Sequence, residues 1–194
     1  RFFAGWNFTA DHAQQPDIAQ VGYSLGVPMG GDLIQNEENK APTFLMRATK
    51  DPDGANLDRV QIIKGWRDGN GELQEKVYDV AFSANGKSAN GKSDDRKLGS
   101  NGVLPSLGST VNLNDASYQN TIGSPELSTT WRDPDFNGSE PAVYYVRVLQ
   151  IPTPRWTVFD AKFYQQELPQ DSPLVIEERA YSSPIWYTPE EAAR

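Results

Sequence analysis

The sequence predicts an all-β chain, in the main an antiparallel two-sheet β-sandwich of immunoglobulin-like architecture with roughly eight strands. Three observations carry this. Short runs rich in β-branched and aromatic residues recur from Thr43 onward, clusters of Gly, Pro, Asn and Asp separate them, and helical periodicity is thin. Gly (16) and Pro (14) together make about one residue in seven of the 194, which suits a chain that turns often.

The expected strands are 43–49, 59–66, 76–83, 109–113, 127–131, 142–151, 174–181 and 184–188. In 59–66, Val60, Ile62 and Trp66 share one face with Lys64 between them, the pattern of a half-exposed strand. The run 142–151 is apolar or aromatic on both faces apart from Arg147 and Gln150, the pattern of a central strand. One short helix is expected at 9–21, capped by Thr9 or Asp11 and interrupted by Pro16. A second is expected around 159–166, where Phe159, Phe163 and Tyr164 recur at helical spacing. Segment 84–102 repeats ANGKS at 84–88 and 89–93, continues into Asp94, Asp95, Arg96 and Lys97, and has almost no large apolar side chain. It reads as a long, exposed, mobile loop insertion within a single domain spanning 1–194.

Composition excludes most familiar chemistry. There is no Cys, hence no disulfide, thiolate nucleophile or cysteine zinc site, and with His12 as the one His a histidine metal cluster is out of reach. The formal charge of -8 argues against nucleic acid as a partner, since a phosphate backbone demands basic surface. No apolar run approaches the roughly 20 residues of a membrane span, so no membrane insertion is expected. The chain opens on Arg1 and runs at once into Phe2, Phe3, Trp6 and Phe8, so it reads as a fragment. Those aromatics belong either to a first core strand or to a seam with another domain.

Three acidic loops stand out: 51–58, 67–72 and 132–140. Carboxylates and carboxamides are the hard oxygen ligands calcium prefers, and Asp51, Asp53, Asn56 and Asp58 are the candidate ligands. Tight turns account for the same residues, because Asp-Gly and Asn-Gly steps favour them. The five tryptophans suit either a sandwich core or a stacking platform for sugars; Trp66, Trp131 and Trp186 lie in or beside strands and are expected to be buried. Trp156, among Pro152, Pro154 and Arg155, is the loop-placed candidate for ligand binding. GVPMGGD at 26–32 lacks the spacing of a phosphate loop and reads as a tight turn leading into a strand. Asn7-Phe8-Thr9 and Asn137-Gly138-Ser139 are glycosylation sequons by pattern.

The strings GVPMGGDL (26–33), DPDGANLDRVQIIKGW (51–66), EKVYDVAFS (75–83), NTIGSPELSTTWRDPDF (120–136), YYVRVLQIPTPRWT (144–157) and ERAYSSPIWYTP (178–189) follow one another in order. Together they resemble the C-terminal part of a large bacterial domain-of-unknown-function family. Its full-length members are similar to metal-dependent hydrolases of the polymerase-and-histidinol-phosphatase (PHP) type. The family's metal ligands lie in motifs of the GDxHxH and TDHxE kind, and neither occurs here, so the resemblance carries over no catalytic residue.

The resemblance thus implies a non-catalytic C-terminal accessory module, without a cofactor of its own, whose partner is an N-terminal catalytic-like domain of the same polypeptide holding a divalent metal. The rival reading is an independent carbohydrate- or calcium-binding module. A periplasmic or secreted location is expected, with no signal segment in these residues.

Overall fold

The computed structural model describes residues 1–35, 40–83, 96–100 and 102–189. Its elements in chain order are β1 (Phe2–Gly5), a 3-10 helix (Ala10–Gln14), α1 (Ile18–Leu25), β2 (Gly26–Pro28), β3 (Asp32–Ile34), β4 (Thr43–Thr49), β5 (Leu57–Arg67) and β6 (Leu73–Phe82). They continue with β7 (Glu126–Arg132), β8 (Ala142–Gln150), β9 (Thr153–Pro154), α2 (Trp156–Tyr164), β10 (Val175–Ile176), β11 (Arg179–Tyr181) and β12 (Ile185–Thr188).

Alternation along these strands builds two facing sheets. One has the order β2-β1-β4-β7; the other runs β3-β12-β8-β5-β6, with β11 beside β12 on the same side of β8. The pairings within both are antiparallel except β12 with β3, which is parallel. Phe2, Phe44 and Met46 from the first sheet meet Val60, Ile62, Tyr144, Val146, Ile185 and Tyr187 from the second, giving a buried inter-sheet core. Each such side chain contributes roughly 1.5–3 kcal/mol through the water it leaves. The all-β sandwich expected from the sequence is the observed fold.

The opposite face of the four-stranded sheet is covered by helix. Phe3 and Leu45 pack with Phe8, Ala13 and Ile18 in a second cluster. Gly22 of α1 lies against the Phe3 ring, where a Cβ would stand 2.4 Å from ring carbon, so this position has no room for a side chain. Arg47 ties the layers by donating from Nη2 to the carbonyls of Ala13 (2.9 Å) and Gln15 (2.8 Å). Phe2, Phe3 and Phe8 are therefore core residues, and the first-strand reading of that aromatic run accounts for them.

Several expectations are corrected. β5 is central, flanked by β6 and β8, and Lys64 is buried because it finds a carboxylate inside the sandwich. Residues 109–113 form no named strand: Ser109 and Thr110 bond locally through their hydroxyls, leaving a single bridge between Asn112 and Ser117. The run 174–181 divides into β10 and β11, β2 and β9 add strands beyond those expected, and β3 is the strand that the turn at 26–32 leads into. Pro16 splits the predicted 9–21 helix, and α1 restarts with Asp17 accepting the Gln20 N–H at 3.0 Å. Trp186 is half-exposed because Ile185 and Tyr187 occupy the inward positions of β12, and strand alternation sends the residue between them outward.

Most of the 84–102 insertion lies outside the described residues. Of its described residues 97–100 and 102 are exposed, as expected, whereas Arg96 departs from that reading: it is 1% exposed, forming an ion pair with buried Asp58 and donating from Nε to the Pro105 carbonyl at 2.9 Å. A carboxylate buried at the start of β5 requires such a partner.

Candidate functional site

Three regions concentrate candidate functional side chains, the first between the sheets. Lys64 on β5 points inward beside Trp66 and Tyr144, with Nζ 5.0 and 5.8 Å from the two ring centroids. It donates to Asp133 Oδ2 (2.6 Å) and to the Asp135 carbonyl (2.8 Å). The Tyr144 hydroxyl donates to the same Asp133 oxygen at 2.8 Å, and Asp133 Oδ1 accepts the Asp135 N–H at 2.9 Å. One shell outward, Asp135 Oδ2 accepts from Lys76 (2.5 Å) and Tyr78 (2.6 Å).

The electrostatics follow from these contacts. The Lys76 and Tyr78 hydrogen bonds hold the Asp135 carboxyl below the usual carboxylate range. Burial, then the neighbouring carboxylates, pushes the Tyr78 and Tyr144 phenols well above their ordinary value. Both oxygens of Asp133 accept hydrogen bonds from within the chain, and the cluster locks β5 and β8 of one sheet to the residues that follow β7 of the other. Neither the turn nor the calcium reading of 132–140 foresees this cluster. The available signal was a lysine between Ile62 and Trp66 on an otherwise apolar strand face.

The four calcium candidates are not gathered into one site, and three of the side chains are engaged elsewhere or by the turn itself. Asp51 Oδ1 accepts the Asp53 N–H (2.9 Å), Asn56 donates to the Asn120 and Ile122 carbonyls (3.2 and 2.9 Å), and Asp58 pairs with Arg96. The carbonyls of that loop hold a cation from the chain itself: Lys50 Nζ donates to Asp51, Pro52 and Gly54 at 2.8, 2.8 and 3.0 Å. Among the described residues no group of three or more His, Cys, Asp or Glu side chains is placed to hold a metal ion. His12 accepts the Thr9 N–H at Nδ1 (3.1 Å) and so closes the start of the 3-10 helix. GVPMGGD forms β2, a turn closed by the Gly31 N–H on the Pro28 carbonyl (3.0 Å), and β3.

The second region is α2. Trp156 opens this helix instead of lying in a loop. Trp156, Phe159 and Phe163, at helical spacing, are 64%, 46% and 79% exposed, while Val158 and Ala161 take the buried side. The third is the outer face of the six-stranded sheet, where Trp186, Tyr145 and Tyr181 gather. A separate cleft of about 440 Å³ opens between the sheets over Phe2, Met46, Val60 and Val148, with Gln150 and Glu178 at its margin.

The family model described as "Protein of unknown function (DUF3604)" matches residues 1–189. The chain belongs to the DUF3604 family. No curated protein and no solved structure matches it. The DUF3604 match spans both sheets, the Lys64–Asp133 pair and α2 of this chain. No described helix is long and apolar enough to cross a membrane.

Proposed function

We propose that this DUF3604 chain is a non-catalytic, immunoglobulin-like accessory sandwich that packs, through the aromatic face of α2, against a PHP-type metal-dependent hydrolase region of the same polypeptide. The observation that carries this reading is the trio Trp156, Phe159 and Phe163 on one short helix, turned to water while the opposite side is anchored. Large aromatics in that arrangement are the usual anchors of a protein contact. The engagement of Asp58, Asp133 and Asp135 by cations within the chain agrees with a module that supports chemistry elsewhere. The resemblance to PHP-type proteins supplies the partner and its divalent metal, and the reading places the polypeptide in the periplasm or outside the cell.

The test is an assay of the purified chain against phosphoesters, esters and amides with Mg²⁺, Mn²⁺ or Zn²⁺ present. The expected result is no turnover. Turnover abolished by a substitution among residues 1–194 would overturn the proposal.

A further inference from the structure

The outer face of the six-stranded sheet has a chemistry distinct from that of α2. Register pairs Trp186 with Val143 and Val143 with Gly65; two rows along, Tyr181 pairs with Arg147 and Arg147 with Gln61. Directly paired residues share a face, so Trp186, Tyr145 and Tyr181 all stand on this surface. Trp186 and Tyr181 are 50% and 57% exposed, and the rings of Tyr145 and Tyr181 lie 6.5 Å apart. From Val143 to Arg147 the strand advances about 13 Å at its usual rise of about 3.3 Å per residue. Beside the rings runs a fixed line of planar polar groups: Arg147 Nε donates to Gln61 Oε1 and Gln61 Nε2 to Asp79 Oδ1, both at 2.8 Å. At the other end Gly65, packed closely under Val143, lies at the floor of a hollow. That hollow measures about 500 Å³ and is bordered by Trp186, Arg67, Gln74, Glu75 and Thr188.

We infer that this face binds a neutral oligosaccharide, with Trp186 and Tyr181 as its stacking platform. A pyranose ring presents an apolar C–H face and a rim of hydroxyls. Aromatic rings cover the first, and the half-buried Arg147 and Asp79, held in place by the buried Gln61 amide between them, bond the second through their remaining polar atoms. Arg67 and Arg147 are balanced by Glu75 and Asp79, so nothing selects a charged polymer, and the net charge of -8 opposes polyanions. A polar line across the centre also distinguishes the face from a protein interface, whose core is depleted of charge. The inference does not depend on α2 or on a hydrolase partner.

The test titrates the purified chain with cellohexaose, maltohexaose, xylohexaose and mannohexaose, followed by tryptophan fluorescence and by amide shifts. At least one ligand is expected to bind at millimolar concentration or below and to move the amides of 143–147 and 181–186. Trp186→Ala or Tyr181→Ala should weaken it at least about tenfold, as loss of an aromatic anchor does, while Trp156→Ala leaves it unchanged. Having two variants guards against one failing to fold. Absence of binding by all four sugars, or binding indifferent to both variants, overturns the inference. Protection of this face by the rest of the polypeptide, without sugar binding, overturns it in favour of a protein contact.

Discussion

Lys64 Nζ stands 2.6 Å from Asp133 Oδ2 with both side chains almost fully buried, and the pair joins the centre of one sheet to the end of an edge strand of the other. Tyr144 shares the same carboxylate oxygen. Removing one partner leaves a charge in the interior with nothing to offset its desolvation. Asp133→Ala is therefore expected to destabilise the fold by about 3–5 kcal/mol. Paired replacement by Lys64→Met and Asp133→Leu should recover most of that loss, because two apolar groups leave no charge behind. Denaturant unfolding of the three proteins checks this; a single variant within about 0.5 kcal/mol of the parent would contradict the lock.

Asp135 predicts how stability responds to acid. Its carboxyl is held below the usual range by Lys76 and Tyr78, so in acid the unfolded chain binds more protons than the folded one. The contribution is complete above the unfolded value of about 4 and is lost as pH falls through the lowered folded value. Unfolding free energies measured against pH for the parent and Asp135→Asn should differ at neutral pH and converge in acid. A gap that persists at the lowest pH would contradict the assignment.

Two tryptophans should behave in opposite ways. Trp131 packs on Phe44 and Tyr78 at centroid distances of 5.7 and 4.8 Å, so Trp131→Ala should cost about 3 kcal/mol or more. Trp186 lies on the outer face, and Trp186→Ala should cost less than about 1 kcal/mol. Thermal or denaturant unfolding of the pair checks the ranking; equal losses would contradict the assigned faces.

These contrasts show which parts of the molecule were legible in sequence. β4 matches its expected range of 43–49 because apolar and β-branched residues there end abruptly at Lys50-Asp51-Pro52. Burial preference alone sends Trp186 inward, whereas Ile185 and Tyr187 together decide which way β12 faces. The lock was not legible: Lys64 and Asp133 are 69 positions apart, and only the sheet pairing brings them together. The same holds for Arg96, whose sequence neighbours are polar while its partner Asp58 lies 38 positions upstream. The aromatic residues of α2 were visible as a helix, but their exposure depends on which side Val158 and Ala161 bury.

The proposed docking of α2 is tested most directly by hydrogen exchange at residues 156–164, compared between this chain alone and the full polypeptide that contains it. The account predicts clear slowing across α2 in the full polypeptide, reversed by Trp156→Asp with Phe163→Asp. Identical exchange in the two contexts would contradict it.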